Sequence, residues 1–370
     1  MKYTSTLYFL IFIIYSCTSG GDENTSINSC DNGTIKGEGT IVGITLSTQK
    51  EVDDFGNMCY TSIDGGLYIN GENSKDPITS LKSLRNLKHI VNSLANDNLG
   101  GLTIHKTDIK SLEGLENLTS SGLIHIDKNS YLEDISSLSN LSLTRGFGFS
   151  FNPKLKSLNG IQNSHIKSYF SIAYCNSLKN LPKFKNISSS LISLDINDNE
   201  SLTSIEGLEN LTQISDDGLG IKIINNINLA SLKGLDNLKH IHGYFTIENN
   251  ISLKNLNALS NLENVKENLI ILSNQSLNTL NGLNSLTMID DLMIANNNSL
   301  TSLEGLNNLI SADILSIGMY WGVSSYPNTK LKDFCALQNL FTTGSYGIVK
   351  IQYNAYNPTV SDIQSGNCNN

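Results

Sequence analysis

At 370 residues the chain could hold two or three globular domains, and its 34 acidic against 25 basic side chains leave a net charge of −9 at neutral pH. Without a cluster of Lys and Arg nothing can neutralise a phosphate backbone, so nucleic acid is excluded as a partner and the acidic balance serves solubility.

The first residues, MKYTSTLYFLIFIIYSC, set Lys2 ahead of an apolar stretch from Leu7 to Tyr15, followed by Ser16 and Cys17. That stretch is far shorter than the roughly 20 residues a membrane-crossing helix needs, so residues 1–16 are predicted to be a secretory signal. Ile14-Tyr15-Ser16-Cys17 resembles a bacterial lipobox, which implies cleavage before Cys17 and its acylation; a plain signal peptide with an incidental cysteine is the alternative. Residues 17–29 are small, polar and acidic, the composition of a flexible tether. Asp22 and Glu23 resemble the acidic export signals of surface lipoproteins of Bacteroidota, which implies an outer-membrane, lipid-anchored protein facing the exterior.

Cys30 and Cys59 flank the start of the repeated part of the chain, and Cys335 and Cys368 flank its end. An oxidising compartment and the open ends of a solenoid predict a Cys30–Cys59 and a Cys335–Cys368 disulfide, one in an N-terminal cap (30–66) and one in a C-terminal cap (334–370). Cys175 is left over as a structural free thiol.

Between Ile78 and Leu337 the frame L-x-x-L-x-x-L recurs, opening at Ile78, Ile109, Leu132, Leu155, Leu178, Leu202, Leu229, Leu253, Leu277, Leu300 and Leu331, mostly at steps of 23, 24 or 27 residues. Such a period marks a solenoid, here assigned to residues 67–333, and no linker interrupts it, so one elongated domain is the better count. Three residues before the opening anchor stands an asparagine in most frames: Asn129, Asn152, Asn199, Asn226, Asn250, Asn274, Asn297 and Asn328, with Cys175 as the exception. A polar amide at one fixed station per coil predicts a ladder that bonds the backbone of the bend. Segments such as Leu194-Asp195-Ile196 and Phe245-Thr246-Ile247 alternate inward and outward, predicting one short parallel strand per coil. The Gly-rich frames predict turns and short 3₁₀ pieces.

The phrase from Cys59 through Ile63 and Leu67 to Ile69, followed by leucine-rich coils of this length, resembles the receptor L domain over roughly residues 59–340. The resemblance implies a right-handed, leucine-rich β-solenoid acting as an extracellular binding module, and it implies no particular ligand.

Several motifs suggest chemistry that their register explains otherwise. Asp195 to Glu206 carries oxygen ligands at calcium-loop spacing, but Glu200 stands where that loop needs glycine, and Asn199 and Leu202 belong to the repeat. His240 and His242 could share a face, yet His89 repeats the same phrase. No catalytic constellation, metal site or cofactor motif is present, so no enzyme activity and no cofactor are expected. Sequons at Asn117, Asn140, Asn186, Asn210, Asn250 and Asn274 follow from the repeat itself.

The expected partner is a protein or polysaccharide ligand at the cell surface, with membrane contact through the lipid anchor alone and a monomeric chain. An accessory glycan- or peptide-binding subunit of an outer-membrane nutrient-uptake system is the alternative. For the ligand surface the sequence offers Ile270, Leu272 and Met293, outward apolar positions of the late coils, together with Tyr320, Trp321 and Tyr326 in an extra loop. The competing reading packs that loop and the cap down over the strip.

Overall fold

The computed structural model describes residues 34–36, 43–91, 101–216, 218–320 and 324–370. Alternating side chains form strands that stack in strict register: Leu194 lies between Phe170 and Ile221, and Ile196 between Ile172 and Ile223. These inward positions, with the anchors of every leucine frame, are almost completely buried in one continuous core. The result is a leucine-rich parallel β-solenoid.

Beside the principal strand expected, the coils carry a second paired stretch. Among the described residues there is one 19-stranded sheet, because the N-L-x-x-I phrase that leads into the principal strand forms a ladder of its own. His240–Ile241, for example, pairs with Gln213–Ile214 on one side and Asn264–Val265 on the other. Where few residues separate the two stretches they merge into one long strand, as in Leu143–Ser150 or Asn264–Leu272, with a register shift at the join. Where the coil carries extra residues they stay apart, as in Gln213–Ile214 and Gly220–Ile224.

Corners are made in two ways. Gly282 (φ 111°) ends the leucine frame in a left-handed conformation, and a Cβ there would come within 1.9 Å of the Leu256 carbonyl oxygen. At the opposite corner the residue just before the asparagine station is left-handed without being glycine: Lys128, Phe151, Tyr174, Asp198, Asn225, Asn249, Ser273 and Asn296 have φ between 52° and 61°. This bend turns backbone groups into the core, and the asparagine side chains receive them.

The stacked sheet extends into both expected caps. Ile44–Leu46 pairs with Leu67–Asn70, and Ser345–Ile351 with Ser311–Ile317, so the boundaries at 66/67 and 333/334 cut through coils. The N-terminal end is covered by the amphipathic Gln49–Asn57 helix, capped by Thr48, which buries Val52 and Phe55. The C-terminal end is covered by the Gln338–Thr343 and Val360–Gln364 helices and stapled by the Cys335–Cys368 disulfide. Cys59 is disulfide-bonded, while Cys30 lies outside the described residues, as do Cys17, the signal segment and the tether.

Candidate functional site

The outward positions of the principal strands form the broad face on which a ligand could land, and its two ends differ. In the late coils Ile270 pairs with Met293 and Leu272 with Ala295, which gives the apolar strip expected from the sequence. The strip is not open. Met293 is 0% and Leu272 5% exposed, and only Ile270 remains half-buried beside them. A hairpin of Met319–Tyr320 and Ser324–Ser325 packs on the Met288–Ala295 strand. It is held there by Asn296 N donating to Tyr326 O (2.9 Å) and Ser316 Oγ donating to Met319 O (3.1 Å).

The expected ligand contacts at Leu272 and Met293 are therefore corrected: both lie in a core formed between the hairpin and the sheet. The reason is energetic, since the chain that supplies a contiguous apolar strip also supplies its cover. Tyr320 and Tyr326 are each 39% exposed, with ring centroids 5.8 Å apart, on the outside of that cover. Trp321 lies outside the described residues.

The early coils present the opposite situation. Tyr68, Thr103, His125 and Gly148 follow one another along one outward column, and Gly66, Gly101 and Leu123 along the next. Gly43, Gly66 and Gly101 line a cleft of about 170 Å³, walled by Leu123, which is 41% exposed, and by Tyr68, Thr103 and His125. His125 lies over Gly148, where a Cβ would come within 2.9 Å of its ring. Burial pushes the His125 pKa down, only partly opposed by Asp127, and burial followed by Glu72 pushes the Tyr68 phenol up. Both groups are therefore uncharged at neutral pH.

Charges stand beyond the cleft and are paired among themselves. His105 Nδ1 lies 2.8 Å from Asp127 Oδ2, and Lys106 forms an ion pair with Glu72. Ser150 Oγ donates to Asp127 Oδ1 at 2.6 Å. Serine, aspartate and histidine thus meet on three successive coils, but the carboxylate sits in the middle. The hydroxyl proton is bound to Asp127, with no imidazole placed to remove it, so the arrangement is not that of an activated nucleophile.

The remaining candidates disperse. Asp195 faces outward, Asn199 is buried in the core and Glu206 is exposed on a turn, so their oxygens do not converge. His242 uses one ring nitrogen on Ile214 O (2.7 Å) and the other on Asp216 (2.9 Å), while His240 meets Asn264.

All eight asparagines of the expected ladder are fully buried. Asn226 is representative: Nδ2 donates to Ile196 O (2.7 Å) and Ile224 O (3.1 Å), and Oδ1 accepts from Asn199 N (3.2 Å). The ladder runs further than the sequence suggested, starting at Thr107, which donates to Asn129, and ending at Asn354, which accepts from Asn328. Cys175 occupies its station in the array, its thiol pushed up to about 12 by burial.

A second amide ladder was missed, although the Asn-Leu phrase carried its signal. On the outer surface Asn117, Asn140, Asn186, Asn210, Asn237, Asn261 and Asn308 each donate to a backbone carbonyl of the preceding coil. The cleft was also missed, because its lining residues lie far apart in the chain and meet only when the strands stack.

No protein-family model matches the chain, and no curated protein matches it. Among solved structures it is similar to an internalin from Listeria monocytogenes str. 4b F2365, with 16% identity over 82% of this chain and 90% of that one and a TM-score of 0.32.

Proposed function

We propose that this chain is a non-enzymatic recognition solenoid, anchored by lipid at Cys17 to the outer membrane and facing outward, which binds a macromolecular ligand with the outer sheet face of its early coils. The observation that carries this reading is the contrast between the two ends of that face. The late end is sealed by its own hairpin, whereas the early end keeps an open cleft lined by Tyr68, Thr103 and His125. Extended solenoid surfaces serve binding because many coils contribute to one rigid face.

The binding test screens the purified mature chain against glycan and protein arrays, then compares variants on whatever binds. Tyr68→Ala and His125→Ala should weaken binding by roughly tenfold or more, about 1.4 kcal/mol or above, while Tyr320→Ala and Tyr326→Ala leave it unchanged. The reverse pattern would move the ligand to the hairpin end. The anchor has its own test in palmitate labelling: incorporation should vanish in Cys17→Ala, and label that persists would leave only a cleaved signal.

A further inference from the structure

Gly66 is the informative residue of the early cleft. Two of its neighbours are glycine because the backbone demands it: a Cβ at Gly43 would meet Gly66 O at 2.0 Å, and one at Gly101 would meet Leu123 O at 2.0 Å. At Gly66 the nearest atom to such a Cβ is 3.5 Å away, an ordinary contact, and its φ lies outside the left-handed region that favours glycine. Packing would accept a side chain there. What its absence preserves is the empty volume in front of Tyr68, Thr103 and His125.

Those three side chains are half-buried, and among the described residues none of the Tyr68 hydroxyl, the Thr103 hydroxyl and the His125 ring nitrogens has a hydrogen-bond partner. These polar atoms are open to water, which the polar groups of a ligand can replace. Each of the three is amphoteric: a hydroxyl or a neutral imidazole both donates and accepts. Leu123 and the Tyr68 ring add an apolar wall. The lining holds no charge, and the nearby Glu72 and Asp127 carboxylates are engaged by Lys106, Lys128 and the His105 ring.

We infer that the cleft binds one uncharged pyranose residue of a polysaccharide, with its hydroxyls on Tyr68, Thr103 and His125 and its C–H face on Leu123 and the Tyr68 ring. A sugar hydroxyl donates and accepts at once, which matches amphoteric groups better than a carboxylate, an ammonium or a purely apolar side chain does. A charged group would find no counter-charge in the lining, and an aromatic side chain would leave three polar groups unpaired. The volume, about 170 Å³, is below the roughly 300–1,000 Å³ of pockets that enclose a drug-sized ligand, so one ring enters and the rest of the glycan runs outside. The assignment rests on the early coils being the binding face.

The test is calorimetric titration of the mature chain with uncharged hexasaccharides of glucose, mannose and galactose, with an oligouronate of equal length as the charged comparison. At least one neutral hexasaccharide should bind, and the oligouronate should not. Gly66→Val, which fills the cleft, should weaken binding by roughly tenfold or more at an unchanged unfolding midpoint, and Tyr68→Phe, which removes only the hydroxyl, by several-fold. Failure of every neutral glycan to bind, or binding indifferent to both substitutions, would overturn the inference. A protein that binds the early face and ignores Gly66→Val would overturn it too, while leaving the recognition role standing.

Discussion

The asparagine ladder concentrates polar energetics at single residues. Replacing Asn226 by Leu strands the Asn199 N–H inside the core and removes the amide's bonds to the Ile196 and Ile224 carbonyls, of which Ile224 O still accepts from Asp198 N. The expected loss is about 1–3 kcal/mol in denaturant unfolding. Asn237→Ala removes one bond, to Glu209 O, from an exposed amide and should cost about 1 kcal/mol or less by the same measurement. Cys175 provides the converse. Its sulfur sits 3.9 Å from Phe149 O and 3.7 Å from Ala173 O, the carbonyls an asparagine would bond at that station. Cys175→Asn should therefore raise stability by about 1 kcal/mol, and the wild-type thiol, buried and protonated, should react with iodoacetamide only after unfolding.

Hairpin and cap show how short elements protect a solenoid. Met293 lies between sheet and hairpin, so Met293→Ala should cost about 2–5 kcal/mol, whereas Tyr320→Ala, on the exposed side, should cost well under 1 kcal/mol. Equal effects in thermal or denaturant unfolding would mean the strip is not sealed. At the C-terminal end the Cys335–Cys368 bond ties the last leucine frame to the segment after the final helix, where Phe334 N also donates to Cys368 O. Cys335→Ser should cost about 2–5 kcal/mol, and hydrogen exchange should show the Ser345–Ile351 strand opening first, because each coil is held only by its neighbours.

Across the whole molecule, stability should depend on pH through groups buried on the outer face. His125 has its folded pKa lowered from 6.5 by burial, so as pH falls below about 6.5 the unfolded chain takes up the proton before the folded one. Stability tied to the neutral imidazole is present above that value and is lost as pH falls towards the folded pKa. His125→Gln should flatten the fall between pH 7 and 5 measured by chemical unfolding. Asp195, raised above 3.8 by burial, acts with the opposite sign at lower pH, where the folded state holds its proton more tightly.

The sequence alone determined what recurs. The coil length, the buried leucine anchors, the alternation of each principal strand and the inward station of Asn226 and its counterparts repeat along the chain, and a linear period is readable without coordinates. The Cys335–Cys368 link was readable because a solenoid has an end at each terminus of its array. Tertiary structure decided what happens across coils. From the sequence Leu272 and Met293 read either as an exposed strip or as one covered by the following loop, because outward positions on a sheet face solvent unless another segment folds over them; the Met319–Tyr320 and Ser324–Ser325 hairpin decides for the cover. The cleft at Gly66, Tyr68, Thr103 and His125 is assembled from residues on separate coils that become neighbours only when the strands stack in register. Its defining property, a volume left empty, belongs to no single residue and leaves no mark on a linear pattern.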